Sequence, residues 1–209
     1  MYRYIKRGLD VILSIVLIIL LSPIMMIITL LVKTDGGPVI FVQERSGKNG
    51  KLFHLYKFRS MTPNNNVRNF KKEDEITKIG KIIRKTSLDE LPQLFNILKG
   101  EMSFIGPRPW IPEYSENFTK EQFRRLDVLP GITGLAQCKG RNNIGIKEKI
   151  NYDIKYVDNL SFKMDLYIFF KSIISVIKKD GAISSKLSIK NEIDELKMQS
   201  NDNVKGVYI

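Results

Sequence analysis

Apolar and polar positions are distributed very unevenly along the chain. From Val11 to Val32 there is no charged residue, and 18 of these 22 positions are Val, Ile, Leu or Met. About 20 residues let a helix span a bilayer. At roughly −0.3 to −0.6 kcal/mol per aliphatic residue, the run favours lipid by about 5–11 kcal/mol before Ser14, Ser22, Pro23 and Thr29 are counted. Lys33-Thr34-Asp35 follows where a cleaved signal peptide would need small residues, which predicts a retained membrane segment. Ser22-Pro23 interrupts the run, and proline removes a backbone donor and clashes with the preceding turn, so a kink or break is expected there. Two topologies remain open on these grounds: a kinked single span, and a helix that bends and leaves on the side it entered.

Beyond the run the periods shorten. Pro38 to Val42 and Lys51 to Phe58 read as short strands joined by a turn at Ser46 to Gly50, a hairpin. Pro63 to Asp74 is a polar loop, and Ile76 to Arg84 is helical with a basic face. Leu91 to Lys99 predicts a helix with Pro92 tolerated in its first turn and Gly100 ending it. Glycine-proline loops at Gly106 to Pro109 and Pro130 to Gly134 flank a helix around Lys120 to Leu126. Phe162, Leu166, Phe169, Ile173 and Ile177 recur at helical spacing, which suits a helix on a membrane surface or one in a core. A short helix around Asn191 to Met198 is expected in an otherwise polar tail. The fold class is therefore mixed α/β, mostly helical with a short β-hairpin.

A net charge of +12 points to anionic partners, among them nucleic acid, an acidic membrane surface or phosphorylated small molecules. The basic residues are dispersed, not gathered on one helix with interleaved aromatics, which argues against nucleic acid. One cysteine, Cys138, and one histidine, His54, exclude an internal disulfide, a Cys-rich zinc site and most histidine-centred catalysis. His54 reads as a strand residue and Cys138 as a small packing residue. The chemistry must run on carboxylates, cations and hydroxyls.

The sharpest constellation is Arg84-Lys85-Thr86-Ser87-Leu88-Asp89-Glu90-Leu91-Pro92. Adjacent carboxylates near cations at a helix start suit a reactive site, because helix-end N–H groups and Arg84 hold anions and keep Asp89 ionised. Ser87-Leu88-Asp89-Glu90 equally fits a capping box, found in many inert helices. Lys57-Phe58-Arg59 closes a strand, and Arg108 sits between two prolines on a stiff loop. Both placements suit phosphate binding.

Taken together, these stretches resemble the bacterial sugar transferases, the small monotopic phosphoglycosyl transferases. The match runs in order through Lys6-Arg7-Gly8-Leu9-Asp10, Ser22-Pro23, Pro38 to Gly47, Tyr56 to Met61, Thr86 to Leu94, Asn96 to Pro109 and Pro130 to Gln137. The resemblance implies a monotopic membrane protein whose re-entrant anchor, a helix-break-helix at Ser22-Pro23, spans residues 1–34. A catalytic domain at 35–180 with surface amphipathic helices would then lie on the cytoplasmic face of the bacterial inner membrane, followed by a polar tail at 181–209. It further implies transfer of a sugar-1-phosphate from a UDP-sugar to undecaprenyl phosphate with release of UMP, initiating surface polysaccharide or glycoconjugate synthesis and feeding downstream glycosyltransferases. Asp89 matches the nucleophile that forms an aspartyl-phosphosugar, Glu90 its dyad partner, and Mg²⁺ held by Asp89 the cofactor. Lys57, Arg59, Arg84 and Arg108 are the phosphate-binding candidates, with Arg125 and Arg141 behind them. Cys138-Lys139 departs from the family pattern, which expects an apolar residue followed by Asn. With nothing membrane-length ahead of Met1, the minimal catalytic form is expected.

Overall fold

The computed structural model describes residues 1–62, 75–140, 144–177 and 191–198. The polar loop expected at 63–74, Arg141 and most of the tail fall outside them. Tyr2–Thr34 form one helix, α1, of 33 residues, and it alone among the described residues is long and apolar enough to cross a membrane. The helix-break-helix expected at Ser22-Pro23 is not present: α1 runs through Pro23 without interruption. The reason is local. Pro23 has no N–H for the Ile19 carbonyl four residues back, and the Ser22 hydroxyl donates to that carbonyl instead, at 2.8 Å, so helical bonding continues past the proline.

Strands β1 (Ile40–Ser46) and β2 (Leu52–Phe58) pair as the expected hairpin. Asn49 and Gly50 both take positive φ, +56° and +75°, and Lys51 N donates to Lys48 O at 3.1 Å. That is the left-handed Asn-Gly turn whose twist matches a right-twisted hairpin. Helix α2 (Lys78–Lys85) starts at Thr77, whose hydroxyl accepts from Gly80 N. Helix α3 (Gln93–Lys99) ends on Gly100 at φ +86°, as its sequence predicts.

The remaining elements are β3 (Ser103–Ile105), α4 (Pro112–Ser115), α5 (Lys120–Phe123), β4 (Gly131–Thr133), α6 (Leu135–Lys139), α7 (Ile146–Asp158), α8 (Phe162–Ile177) and a helix α9 over 191–198. Strands β3 and β4 form a parallel pair, Ser103 opposite Gly131, where the sequence reading has no strand and places Gly131 to Thr133 in a glycine-proline loop. Their backbones lie so close that a Cβ on Gly131 would sit 2.1 Å from Gly106 N. Glycine is therefore required there for want of room.

By contacts the chain divides into two compact units, one of Met1–Lys6, Glu44–Phe53 and Glu101–Ile209, the other of Arg7–Gln43 and His54–Gly100. In the first, Ile105, Val128, Leu135, Tyr156 and Ile168 form one core cluster, and Tyr114, Ile146, Ile150 and Leu196 form another. Tyr2 and Lys6, at the start of α1, donate to Asp165 of α8 at 2.5 and 2.7 Å. Helix α8 buries Ile168 and leaves Phe162, Leu166, Phe169, Phe170, Ile173 and Ile174 exposed. In the second unit, Ile28 and Val32 of α1 pack with Phe58 and Ile83. Arg7 donates to the Ile97 and Leu98 carbonyls at the end of α3, at 2.6 and 3.0 Å, satisfying acceptors that a helix C-terminus leaves open.

Candidate active site

The carboxylate pair sits on a short turn built by local strain. Ser87 adopts the left-handed conformation, φ +57°, and Leu88–Glu90 follow as a single 3₁₀ turn. Ser87 makes no side-chain cap bond, so the capping-box pattern is not realised here. A non-glycine residue in this conformation carries strain of about 1 kcal/mol, and strain of this kind gathers at functional sites. The turn buries Asp89, 9% exposed, while Glu90 is half-buried and accepts Lys57 Nζ at 2.7 Å. Arg84 lies on the other flank, with its Nε donating to Ser60 Oγ at 2.7 Å. Burial lowers the Arg84 pKa and the nearby Asp89 charge raises it again, and the guanidinium stays charged at any working pH. Two of the expected cations, Lys57 and Arg84, thus stand beside the two expected carboxylates, all in one unit.

Arg59 does not join them. It is buried, and its Nε, Nη1 and Nη2 donate to the carbonyls of Pro38, Met61 and Val32 at 2.7, 3.3 and 2.9 Å. Arg59, expected among the phosphate-binding residues, holds the last turn of α1 through the Val32 carbonyl. Alternation places Lys57 and Arg59 on one face of their strand pattern, but the strand ends at Phe58, and Arg59 turns inward where the chain leaves it.

Arg108 lies in the other unit, exposed between the buried Pro107 and Pro109. Arg125 is 1% exposed. Its Nε and Nη2 donate to Asp153 Oδ2 at 3.0 and 2.7 Å, and Nη2 also donates to the Arg108 carbonyl at 2.9 Å. Arg125, expected among the phosphate-binding residues, thus engages Nε and Nη2 inside the protein. Burial raises the Asp153 pKa, and Arg125 beside it acts in the opposite direction. Arg141 lies outside the described residues. His54 is exposed on β2, and Cys138 packs against the core cluster, 3.3 Å from Ser172 Oγ.

Sequence reasoning passed over Asn96, which is fully buried and bridges α3 to β2 through Tyr56 N and His54 O at 3.1 and 2.7 Å. An amide within the apolar Leu94 to Leu98 stretch was the available signal. It also passed over Asp153 and Asp165, both buried on helices. For a metal, the donors at hand are the carboxylate oxygens of Asp89 and Glu90, and among the described residues no group of three or more His, Cys, Asp or Glu side chains gathers. So small an all-oxygen set fits Mg²⁺, which keeps waters and takes substrate phosphates as further ligands.

Comparison with known proteins follows the same stretch of chain. The family model described as bacterial sugar transferase matches residues 1–179. The chain is 40% identical over 199 residues to the undecaprenyl-phosphate galactose phosphotransferase of Salmonella typhimurium, covering 86% of this chain and 42% of that protein. It is 44% identical over 181 residues to the UDP-glucose:undecaprenyl-phosphate glucose-1-phosphate transferase of Klebsiella pneumoniae, covering 80% and 39%. Over 179 residues it is 44% identical to the uncharacterized sugar transferase EpsL of Bacillus subtilis, covering 84% and 89%. The chain therefore spans about two fifths of the first two relatives and most of the third.

Proposed function

The chain belongs to the bacterial sugar transferase family, and from that premise we propose that it transfers a sugar-1-phosphate from a UDP-sugar to undecaprenyl phosphate, the first membrane step of a surface glycan. The observation that carries this reading is the buried Asp89 on a strained turn, with Lys57 on its Glu90 neighbour and Arg84 on its other flank. One substrate is soluble and the other lives in the bilayer. A covalent intermediate lets the enzyme meet them in turn and splits one difficult displacement into two.

In the first step an Asp89 carboxylate oxygen attacks the β-phosphorus of the UDP-sugar. The bridging P–O bond breaks, its electron pair leaves with UMP, and an aspartyl-phosphosugar remains. In the second step a phosphate oxygen of undecaprenyl phosphate attacks the same phosphorus, the acyl-phosphate P–O bond breaks, and the Asp89 carboxylate is regenerated. Neither step requires a proton to move. Burial keeps water from Asp89 and sharpens its interactions with nearby cations. Lys57 fixes Glu90, and Arg84 opposes the negative charge that shifts toward UMP. Mg²⁺ bound at Asp89 would supply Lewis-acid neutralisation of the diphosphate.

The anchor is read as re-entrant. Two features support this. The buried residues of α1 lie toward its ends, Asp10 and Ser14 near one and Ile28 and Val32 near the other, around an exposed apolar middle. Both ends also bond within the same unit, Arg7 to the end of α3 and the Val32 carbonyl to Arg59. Helix α8, with its exposed aromatic and aliphatic side chains, is read as lying in the interface of the same membrane face, the cytoplasmic side of the inner membrane. Cysteines placed near residues 3 and 50, in a chain without Cys138, are expected to label from one side of the membrane; labelling from opposite sides would mean a true span.

The transfer reading is tested by intact mass. Detergent-purified protein mixed briefly with a panel of UDP-hexoses and UDP-N-acetylhexosamines and Mg²⁺, without lipid, is expected to gain one sugar-phosphate on Asp89 and release UMP. UMP formed only on addition of undecaprenyl phosphate, with no adduct for any donor, would replace the covalent route by direct transfer.

A further inference from the structure

The strand end that supplies Lys57 also supplies the residue that holds Arg84. Ser60 lies two residues past the end of β2 and is 7% exposed. Its hydroxyl accepts from Arg84 Nε at 2.7 Å, the distance of a charge-assisted bond. Its carbonyl accepts from Thr77 N at 3.2 Å, and Thr77 caps α2, the helix that carries Arg84. Ser60 is held in turn, because Arg59 beside it donates to three carbonyls. One four-residue stretch, Lys57 to Ser60, thus reaches both flanks of the Asp89-Glu90 turn, all inside one unit.

A second contact sets the same helix on the same residue. A Cβ on Gly80 would sit 2.0 Å from the Ser60 carbonyl oxygen, so α2 rests its backbone directly on Ser60, an approach that glycine permits. Gly80 and Arg84 are four positions apart and share one face of the helix. The helix is therefore placed against Ser60 at Gly80, and its arginine is bonded to Ser60 one turn later. An exposed arginine is otherwise a long side chain with many rotamers. With Nε engaged by the hydroxyl, rotation of the planar fork is restricted, and the charge felt by Asp89 comes from a fixed direction. Charge stabilisation in a transition state gains from such placement, since nothing has to reorganise as the charge develops.

We propose that Ser60 is a positioning residue that aims Arg84 at the diphosphate of the nucleotide sugar. This rests on the reading of Asp89 as the reacting carboxylate and of Arg84 as the cation that opposes charge on the leaving UMP. Because Arg84 acts on charge that develops in the transition state, releasing it from Ser60 costs turnover more than donor binding.

The test is single-turnover release of UMP by the full chain in detergent, with Mg²⁺, no lipid and whichever UDP-sugar of the panel it turns over. Ser60→Ala is expected to slow release about tenfold at saturating donor, with the half-saturating donor concentration within about threefold. Ser60→Thr keeps the hydroxyl and should stay within about threefold of the unaltered chain in rate. In an Arg84→Ala background Ser60→Ala should change the rate by less than about twofold, because the group it aims is gone. Equal factors in both backgrounds, or a loss that follows folded yield alone, would make Ser60 merely structural and overturn the inference. An unchanged rate for Arg84→Ala would overturn it too, while the adduct on Asp89 would leave the transfer reading standing. If the unaltered chain releases UMP only with undecaprenyl phosphate, the covalent reading is what fails, and the same cycle is read on steady-state turnover with the same deciding factors. Should Ser60→Ala not fold, Ser60→Cys fills similar space with a weaker acceptor. It is expected to slow release about threefold, again only when Arg84 is present, and an effect that persists in Arg84→Ala would overturn the inference in the same way.

Discussion

The dyad turn and the proline loop solve the same problem by opposite means. Each holds one charged group in a defined place. The turn does so with its neighbours in sequence: Ser87 bends the chain, one 3₁₀ turn follows, and Asp89 is buried. The loop does so with remote donors, Gly131, Arg125, Arg45 and Ser46, and leaves Arg108 exposed. The first carboxylate is shielded from water, while the second group keeps an exposed side chain on a buried backbone. The difference teaches that precision can come from local strain or from long-range bonding, and that only the first leaves a compact trace in the sequence.

The largest effect is at the turn. Asp89→Asn should lose at least about 10³-fold in turnover and form no sugar-phosphate adduct, since the proposed covalent nucleophile is removed while binding remains. A variant that keeps more than a tenth of the activity would move the reaction away from the turn. Gly131→Ala should break the loop instead. Its Cβ would meet Gly106 N at 2.1 Å, which predicts destabilisation of about 2–4 kcal/mol by thermal unfolding in detergent. An unchanged melting temperature would show that the β3–β4 approach does not hold the loop.

Arg59→Gln sharpens the contrast between a staple and a ligand. Three carbonyls lose their donor, with an expected cost of about 2–3 kcal/mol, and KM for the UDP-sugar should not move in the protein that remains folded. A raised KM with full stability would place Arg59 in the phosphate-binding set. The smallest effect is at Ser87→Gly. Glycine accepts φ +57° freely, so stability should rise by up to about 1 kcal/mol, while turnover falls severalfold as the dyad gains freedom. A rise in both would mean that the strain at Ser87 has no part in holding Asp89.

How far the sequence could be read follows the same division. The apolar run of α1, the hairpin with its Asn-Gly turn, α3 with its Gly100 stop and α8 all depend on residues within a few positions of one another, and each stands close to where its pattern places it. The Asp89-Glu90 pair and its two cations were likewise visible as one short motif and one strand end. Arg59 and Arg125 were not. Their sequence surroundings resemble those of Lys57 and Arg108, and what distinguishes them is the partner across the fold: three backbone carbonyls for one, Asp153 and the Trp110 ring for the other. The parallel β3–β4 pair was equally hidden, since strands of three residues carry no period of their own.

By itself the sequence determined a membrane-length apolar run, an Asp-Glu pair among cations, and where several of the helices lie. Hydrophobic run length, turn residues and capping glycines act over one or two turns of chain, so they are written locally. Only the tertiary structure decided that the Arg59 and Arg125 guanidiniums bond within the protein and that four distant donors hold the Arg108 loop. Those outcomes depend on which donor meets which acceptor once apolar surfaces have closed, because a buried guanidinium must find partners wherever packing places them.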